Sequence, residues 1–118
     1  MIAIVAVAVF FAGMGLYGLV APGALVRPFG IEVGGANGRG EVRAVYGGFG
    51  VAVAALLVVA AFDDRIRRGA VIAVAVALVG MAAGRLVGCL VDRPRGFYPN
   101  WFYFGVEVLL GAVLWLAA

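Results

Sequence analysis

Four apolar stretches, each long enough to cross a lipid bilayer, make up most of this chain. A membrane-spanning helix needs about 20 mainly apolar residues, and each stretch has about that length. The breaks between them, APGALVRPFGIEVGGANGRG, DDRIRR and DRPRG, contain charged and turn-forming residues. The pattern predicts an all-α protein, a four-helix transmembrane bundle forming a single domain. The predicted helices cover residues 2–21, 43–62, 69–91 and 97–118.

The composition is incompatible with a water-facing surface. Of the 118 residues, 66% are hydrophobic and 13% are charged, and the mean hydropathy is +1.16. Soluble domains carry about 25% charged residues. We therefore expect a multi-pass membrane protein in contact with membrane lipids. The bias toward Ala, Val, Gly and Arg, which have GC-rich codons, favours a bacterium and hence the bacterial inner (cell) membrane.

The missing side chains limit the possible chemistry. The chain has no Ser, Thr, Gln, Lys or His, so a Ser-His-Asp triad and a lysine Schiff base are both excluded. Haem and zinc sites draw on His or several Cys, and Cys89 is the single cysteine. We expect no enzymatic activity, no metal and no cofactor. No basic stripe with interleaved aromatic residues indicates a nucleic-acid partner.

Two charges lie inside the apolar stretches. Glu107 is ten residues past Phe97, which places it near the middle of the bilayer, and Arg85 lies closer to the third loop. A charge at mid-depth costs on the order of 2.5–3.5 kcal/mol on insertion scales, and such residues usually face the bundle interior with a partner. We expect Arg85 and Glu107 to be energetically coupled, although Arg85 is long enough to reach either Glu107 or water.

Helical spacing groups further polar residues around this pair. Asn100, Tyr103 and Gly111 share a face with Glu107, and Arg43, Tyr46, Gly47 and Gly50 share a face of the second helix. Glu41 is expected to cap that helix at its N-terminus. Helix 2 begins, helix 3 ends and helix 4 begins on one side of the membrane. The spacing predicts a polar cup there, formed by Arg43, Tyr46, Arg85, Tyr103 and Glu107, with Arg43 and Tyr46 at its rim. Glu41 is included with them among the candidate binding residues.

Three interpretations of the cup are open. It can be an ion-pair network that fixes the register of the helices. It can bind the anionic head of a lipid or another small amphiphile, with arginine supplying a fork of donors. It can also contact a partner subunit.

Glycines are spaced for close helix packing. The third helix carries Gly80, Gly84 and Gly88, and the second carries Gly47 and Gly50. Small residues four apart let helix backbones approach closely in lipid. The stripe on the third helix either packs inside this bundle or docks a partner helix.

A faint internal repeat links the two halves of the chain. RPFG at residues 27–30 and RPRG at residues 93–96 each follow an odd-numbered helix, and Glu41 and Glu107 stand at the same offset behind them. The first and third helices run in the same direction, so a duplicated helix pair is geometrically sensible.

The segments GLYGLVAPGALVRPFGI, EVRAVYGGFG and GMAAGRLVG, in this order, resemble a bacterial family of small four-helix membrane proteins classed as a domain of unknown function and distantly similar to DoxX-like proteins. The resemblance covers nearly the whole chain and implies a four-helix fold, with Glu41, Arg43, Tyr46 and Arg85 on motif positions. The family commonly has Asn where this chain has Gly40, which weakens a capping role there. No activity is implied.

These features predict a non-catalytic accessory subunit of a larger membrane complex, with lipid or small-molecule transport as the function of that complex. Other integral membrane subunits would be its partners, docked on the glycine faces of the second and third helices. The alternative is a free-standing or homo-oligomeric bundle that binds or transports a lipid-like molecule in the cup.

Overall fold

The computed structural model describes residues 1–118, and the chain is helical with no strand. Its six α-helices are α1 (Ile2–Val20), α2 (Pro22–Val26), α3 (Ala36–Val42), α4 (Phe49–Phe62), α5 (Asp64–Asp92) and α6 (Asn100–Ala117). A 3₁₀ turn, Arg27–Phe29, follows α2, and a π-helical turn, Arg43–Gly48, joins α3 to α4.

Four helical segments are long and apolar enough to cross a membrane. They are α1, the continuous segment Ala36–Phe62, α5 and α6. The fold is therefore all-α, and the chain is a multi-pass membrane protein with four spans. Loops 1 and 3 lie at one end of the bundle, called here the loop end. The chain termini and the turn between α4 and α5 lie at the opposite end.

The helices begin at positions that differ from the sequence prediction. The second span starts at Ala36 instead of 43, and α5 starts at Asp64 instead of 69. The fourth span starts later, at Asn100 instead of 97. Hydropathy detects the apolar part of a span, whereas backbone hydrogen bonding continues through polar residues such as those of GRGEV. Helix ends outside the apolar region are therefore invisible to a hydropathy pattern.

The turn between α4 and α5 is held by short-range polar contacts. Asp63, the single residue between the helices, accepts a hydrogen bond from the backbone N–H of Arg65 at 2.9 Å and caps α5. The Arg65 guanidinium bonds the same carboxylate at 3.1 Å and lowers the pKa of Asp63. Arg67 donates to the carbonyls of Ala60 and Ala61 at 3.0 and 2.9 Å. It thus satisfies carbonyls at the C-terminus of α4 that have no helical partner.

Glycines bring α1 and the second span into backbone contact. A Cβ atom on Gly50 would lie 2.9 Å from Gly15 Cα, and one on Gly15 would lie 2.6 Å from the Val51 nitrogen. One turn further along, a Cβ atom on Gly47 would lie 2.8 Å from the Leu19 side chain. Close backbone approach of this kind is how helices associate in lipid. Gly47 and Gly50 therefore pack within the chain, against α1.

The buried core occupies only one end of the bundle. It is built from the first half of α1, the second half of α4, the first half of α5 and the last turns of α6. Its members are Ile4, Val7, Ala8, Phe11, Ala54, Leu57, Ala61, Val71, Val74, Ala75, Leu78 and Leu114. These positions extend from the middle of the spans, at Phe11 and Leu78, to the end with the termini and the α4–α5 turn. The loop end lacks such a core, and a cavity lies there instead.

Loop 1 is ordered by two short helical turns. Pro22 is the first residue of α2. An N–H at that position would have no acceptor within the helix, so proline, which lacks one, fits there. The 3₁₀ turn ends at Gly30, whose φ of 75° suits glycine. Gly96 in loop 3 also has a positive φ, of 74°. The rest of the two RPxG segments differs, because Arg27–Phe29 forms a 3₁₀ turn whereas Arg93 has a φ of 49° and ends α5.

Two glycines on α1, two residues apart, allow a matched test of the α1–α4 contact. Gly15→Ala should destabilise the fold by about 1–3 kcal/mol, because the new methyl group meets the backbone of α4. Gly13→Ala should be neutral or stabilising by about 0.5–1 kcal/mol, since nothing lies within 4 Å of its Cβ position and alanine favours the helix. Thermal unfolding in detergent measures both variants. Equal effects would contradict the close approach at Gly15.

Candidate functional site

A buried ion pair joins α5 to α6. Arg85 Nε lies 2.7 Å from Glu107 Oε1, and Arg85 Nη2 lies 3.1 Å from Glu107 Oε2. This is a two-point contact between the planar guanidinium and the carboxylate, the strongest geometry for such a pair. The Glu107 side chain is 8% exposed and that of Arg85 is 24% exposed. The two charges inside the spans therefore neutralise each other.

The two partners lie at the same depth in the bundle. Glu107 is seven residues past the start of α6, and Arg85 is seven residues before the end of α5. At about 1.5 Å per residue, each lies about 10 Å from the loop end of its helix. The sequence placed Glu107 deeper because its helix was expected to begin at 97. The later start at Asn100 brings the carboxylate level with the guanidinium.

Two aromatic rings flank the guanidinium. The Arg85 Cζ atom is 5.5 Å from the centre of the Phe29 ring and 5.6 Å from that of Tyr103. The rings lie next to each other, with centroids 5.3 Å apart. A cation within about 6 Å of an aromatic face is attracted by the ring quadrupole. Phe29 comes from loop 1, so this contact ties loop 1 to the ion pair.

A cavity of about 660 Å³ opens beside the ion pair. Its walls come from α1, α4, α5 and α6, and α2 with the 3₁₀ turn of loop 1 supplies further lining. Arg85 and Glu107 are its only charged lining residues. The apolar and aromatic lining residues include Val9, Phe10, Met14, Tyr17, Leu25, Phe29, Phe49, Met81 and Tyr98.

The structure brings four of the six predicted binding residues together. Tyr46, Arg85, Tyr103 and Glu107 all line the cavity. Tyr103 and Glu107 reach it from α6, Arg85 from α5, and Tyr46 from the π-helical turn. Turns of this kind occur frequently at functional sites. The predicted face of α6 is also present, because Asn100 donates to Cys89 Sγ on α5 at 3.1 Å and Gly111 packs against α5.

Arg43 does not line the cavity. Its Nε donates to the Leu19 carbonyl at 3.1 Å, in the last turn of α1. That carbonyl has no partner within its own helix, and a basic side chain at a helix C-terminus complements the helix dipole. Arg43 therefore joins the second span to the end of α1. The sequence could not separate this role from a binding role, because both require an arginine at the loop end.

Glu41 lies apart from the cavity and does not cap the helix. The second span begins at Ala36 with Gly35 as its N-cap, so Glu41 lies within α3, beyond the first turn. Its side chain is exposed and forms no ion pair. The expected cap depended on a helix start near 43, and the earlier start removes it.

The glycine stripe of α5 faces away from the bundle. A Cβ atom on Gly80, Gly84 or Gly88 would meet no atom within 4 Å. The buried residues of α5, from Ala70 to Ala82, lie on its other face. The structure thus separates the two glycine sets: Gly47 and Gly50 are covered by α1, and the α5 stripe is uncovered within the chain.

Several lining residues were not singled out from the sequence. Phe29 and Tyr98 come from loops, and Val9, Phe10, Met14 and Tyr17 come from a helix with no charge. A weak signal exists in α1, where Phe10, Met14 and Tyr17 recur at helical spacing. Aromatic residues also cluster beside loop 3, at Phe97, Tyr98, Trp101 and Phe102. Such clusters are typical of the membrane–water interface, so this one did not by itself indicate a cavity.

The fold and the site define a small multi-pass membrane protein with an apolar cavity beside a neutralised ion pair. No group of three or more His, Cys, Asp or Glu residues is placed to hold a metal ion. The chain belongs to a family described as domain of unknown function DUF4345, whose profile matches residues 1–118. No curated protein and no solved structure matches the chain significantly.

The ion pair predicts a double-mutant cycle with large coupling. Arg85→Leu and Glu107→Leu should each destabilise the protein by about 3–5 kcal/mol, because each leaves one buried charge without its partner. The double variant should recover much of that loss, since two apolar residues fit a lipid environment. Accumulation in membranes and thermal unfolding in detergent measure the three variants. Additive losses would show that the pair is not coupled.

Proposed function

We propose that this protein binds a lipid-like molecule in the cavity and performs no catalysis. The observation that carries the proposal is the cavity itself, of about 660 Å³, whose mostly apolar walls include one ion pair and four tyrosines. Ligand sites typically enclose about 300–1,000 Å³ and combine apolar walls with a few placed polar groups. An amphiphile with an apolar body and a small polar head matches this arrangement.

The exposure of the lining supports entry from the bilayer. Val9, Tyr17 and Phe49 line the cavity and are 66%, 49% and 53% exposed. Val9 is seven residues into α1 and Phe49 is central in the second span, so both lie at the depth of the apolar spans. A molecule dissolved in the membrane can reach such an opening without crossing water.

The proposed absence of catalysis is argued from the hydrogen bonds and the burial of the Glu107 carboxylate. Glu107 would be the acid or base of any enzyme mechanism here, but both of its oxygens accept hydrogen bonds from Arg85. A general base must lie within reach of a substrate proton. Glu107 is 6% exposed and turned toward Arg85, which disfavours that role. The chain has no His, Lys or Ser to replace it.

A bulky substitution in the cavity tests the binding role. Met81→Trp should remove a co-purifying lipid-like molecule, because the indole occupies space inside the cavity. Val87→Trp is the matched control, since it also lies on α5 and is 59% exposed outside the lining. Native mass spectrometry after purification in mild detergent measures the bound mass. The proposal fails if both variants keep the molecule, or if the unmodified protein carries none and takes up none.

The accessory-subunit role is a second candidate, favoured by one observation. Gly80, Gly84 and Gly88 form a small-residue stripe with open space in front of it, and such stripes pack against neighbouring helices in membranes. The glycines of the second span no longer support docking, because α1 covers them. The candidate docking face is therefore confined to α5. The likeness to DoxX-like proteins and the location in a bacterial inner membrane remain predictions from the sequence.

A leucine on the α5 stripe tests this second candidate. If a larger membrane subunit packs on the stripe, Gly84→Leu should release it, because the new side chain prevents close backbone approach. Gly105→Leu on α6, where a Cβ atom also meets nothing within 4 Å, is the control. Mass spectrometry of proteins that co-purify stoichiometrically from native membranes measures the effect. An unchanged partner with Gly84→Leu would contradict docking through α5.

A further inference from the structure

We infer that the molecule bound in the cavity has an uncharged head with an oxygen acceptor, such as an alcohol, a ketone or an ester, and not an anionic head. This inference rests on the proposed binding function and specifies its ligand class. It follows from the N–H donors of Arg85 that Glu107 leaves unbonded, and from the net charge of the cavity lining.

The ion pair uses only one edge of the guanidinium. Arginine has five N–H donors, and Nε and Nη2 each donate one to Glu107. The donors on Nη1 and the second donor on Nη2 have no acceptor in the protein. No buried side-chain nitrogen or oxygen lacks a partner, so the unused Nη1 atom is accessible. The cavity wall therefore presents N–H donors that an oxygen acceptor can satisfy.

The carboxylate side of the ion pair is more buried than the arginine side. The Glu107 side chain is 8% exposed, compared with 24% for Arg85. The rings of Phe29 and Tyr103 lie near the guanidinium, and its Nη1 atom forms no hydrogen bond with the protein. Within the ion pair, an entering head group therefore has unbonded N–H donors of Arg85 to bind, whereas both oxygens of Glu107 already accept hydrogen bonds.

The net charge of the lining disfavours an anion. Arg85 and Glu107 are the only charged lining residues, and they cancel. An anion there would lose its hydration without an unpaired cation to replace it, and desolvation of an ion costs more than an incomplete partner returns. The donor fork that the sequence suggested for an anionic head is already bound to Glu107. An uncharged acceptor bonds the free edge and incurs no such cost.

Three competitors that share one hydrocarbon tail and differ in their head group test this inference. The protein in phosphatidylcholine nanodiscs is labelled with a photoactivatable diazirine analogue of oleyl alcohol, and labelling is competed with oleyl alcohol, methyl oleate or oleate at equal mole fraction and pH 9. Oleyl alcohol and methyl oleate should compete at about tenfold lower concentration than oleate, because the carboxylate of oleate loses its hydration beside a lining with no net charge and the uncharged heads do not. Labelled peptides should map to the α1 and α5 lining around Met14 and Met81.

Removal of the negative charge of Glu107 should reverse the order in which oleate and oleyl alcohol compete with the probe. Glu107→Gln leaves the charge of Arg85 uncompensated, so oleate should gain about tenfold relative to oleyl alcohol. Asp92→Asn is the matched control, because it changes the net charge equally at the exposed end of α5, outside the lining. It should leave the ranking unchanged. If Glu107→Gln does not accumulate, the ranking on the unmodified protein decides by itself.

The outcomes separate the two proposals. Oleate competing as well as or better than oleyl alcohol on the unmodified protein overturns the uncharged head, while labelling inside the cavity would still support binding. An oleate preference that Asp92→Asn changes as much as Glu107→Gln also overturns it. Labelling confined to residues outside the lining, and insensitive to Met81→Trp, overturns the binding function itself.

Discussion

The Arg85–Glu107 ion pair is the interaction on which the loop end of this bundle depends. Each charge alone would destabilise a helix in lipid, and together they form a two-point contact between α5 and α6. The pair also contacts loop 1, because Phe29 packs against the guanidinium. The same group thus joins two spans, anchors loop 1 and forms the polar wall of the cavity. In water such a pair would contribute little; here it lies within the spans and joins α5 to α6.

The bundle combines two kinds of packing at its two ends. Near the termini, interlocking apolar side chains fill the space between the four spans. Along α1 and the second span, glycines replace side chains and the backbones touch. At the loop end, apolar side chains do not fill the space between the four spans. Glycine contacts there join only α1 and the second span. The resulting space remains as the cavity, and loop 1 contributes to its wall.

The arginines show how one residue type serves several purposes in a chain without lysine. Arg67 and Arg43 bind free carbonyls at the ends of α4 and α1, and Arg65 pairs with Asp63 at the turn. Arg85 is the only arginine that lines the cavity. The planar guanidinium suits each task, since it can donate in two directions at once. For Arg85, this leaves one edge for Glu107 and the other for the cavity.

The sequence by itself determined the all-α class, the four spans and the residues that carry charge into them. Span length and the cost of a charge in lipid are properties of local composition, so a single chain reveals them. The sequence also indicated the α6 face with Tyr103 and Glu107, because helical spacing is a local rule. The tertiary structure decided the rest. Gly47 and Gly84 look alike in sequence, yet one is covered by α1 and the other is open, since only the packing of whole helices sets which face is inside. Arg43 and Arg85 likewise share a side chain and a side of the membrane. Their roles diverge because one lies beside the end of α1 and the other opposite Glu107, and that distinction exists only in three dimensions.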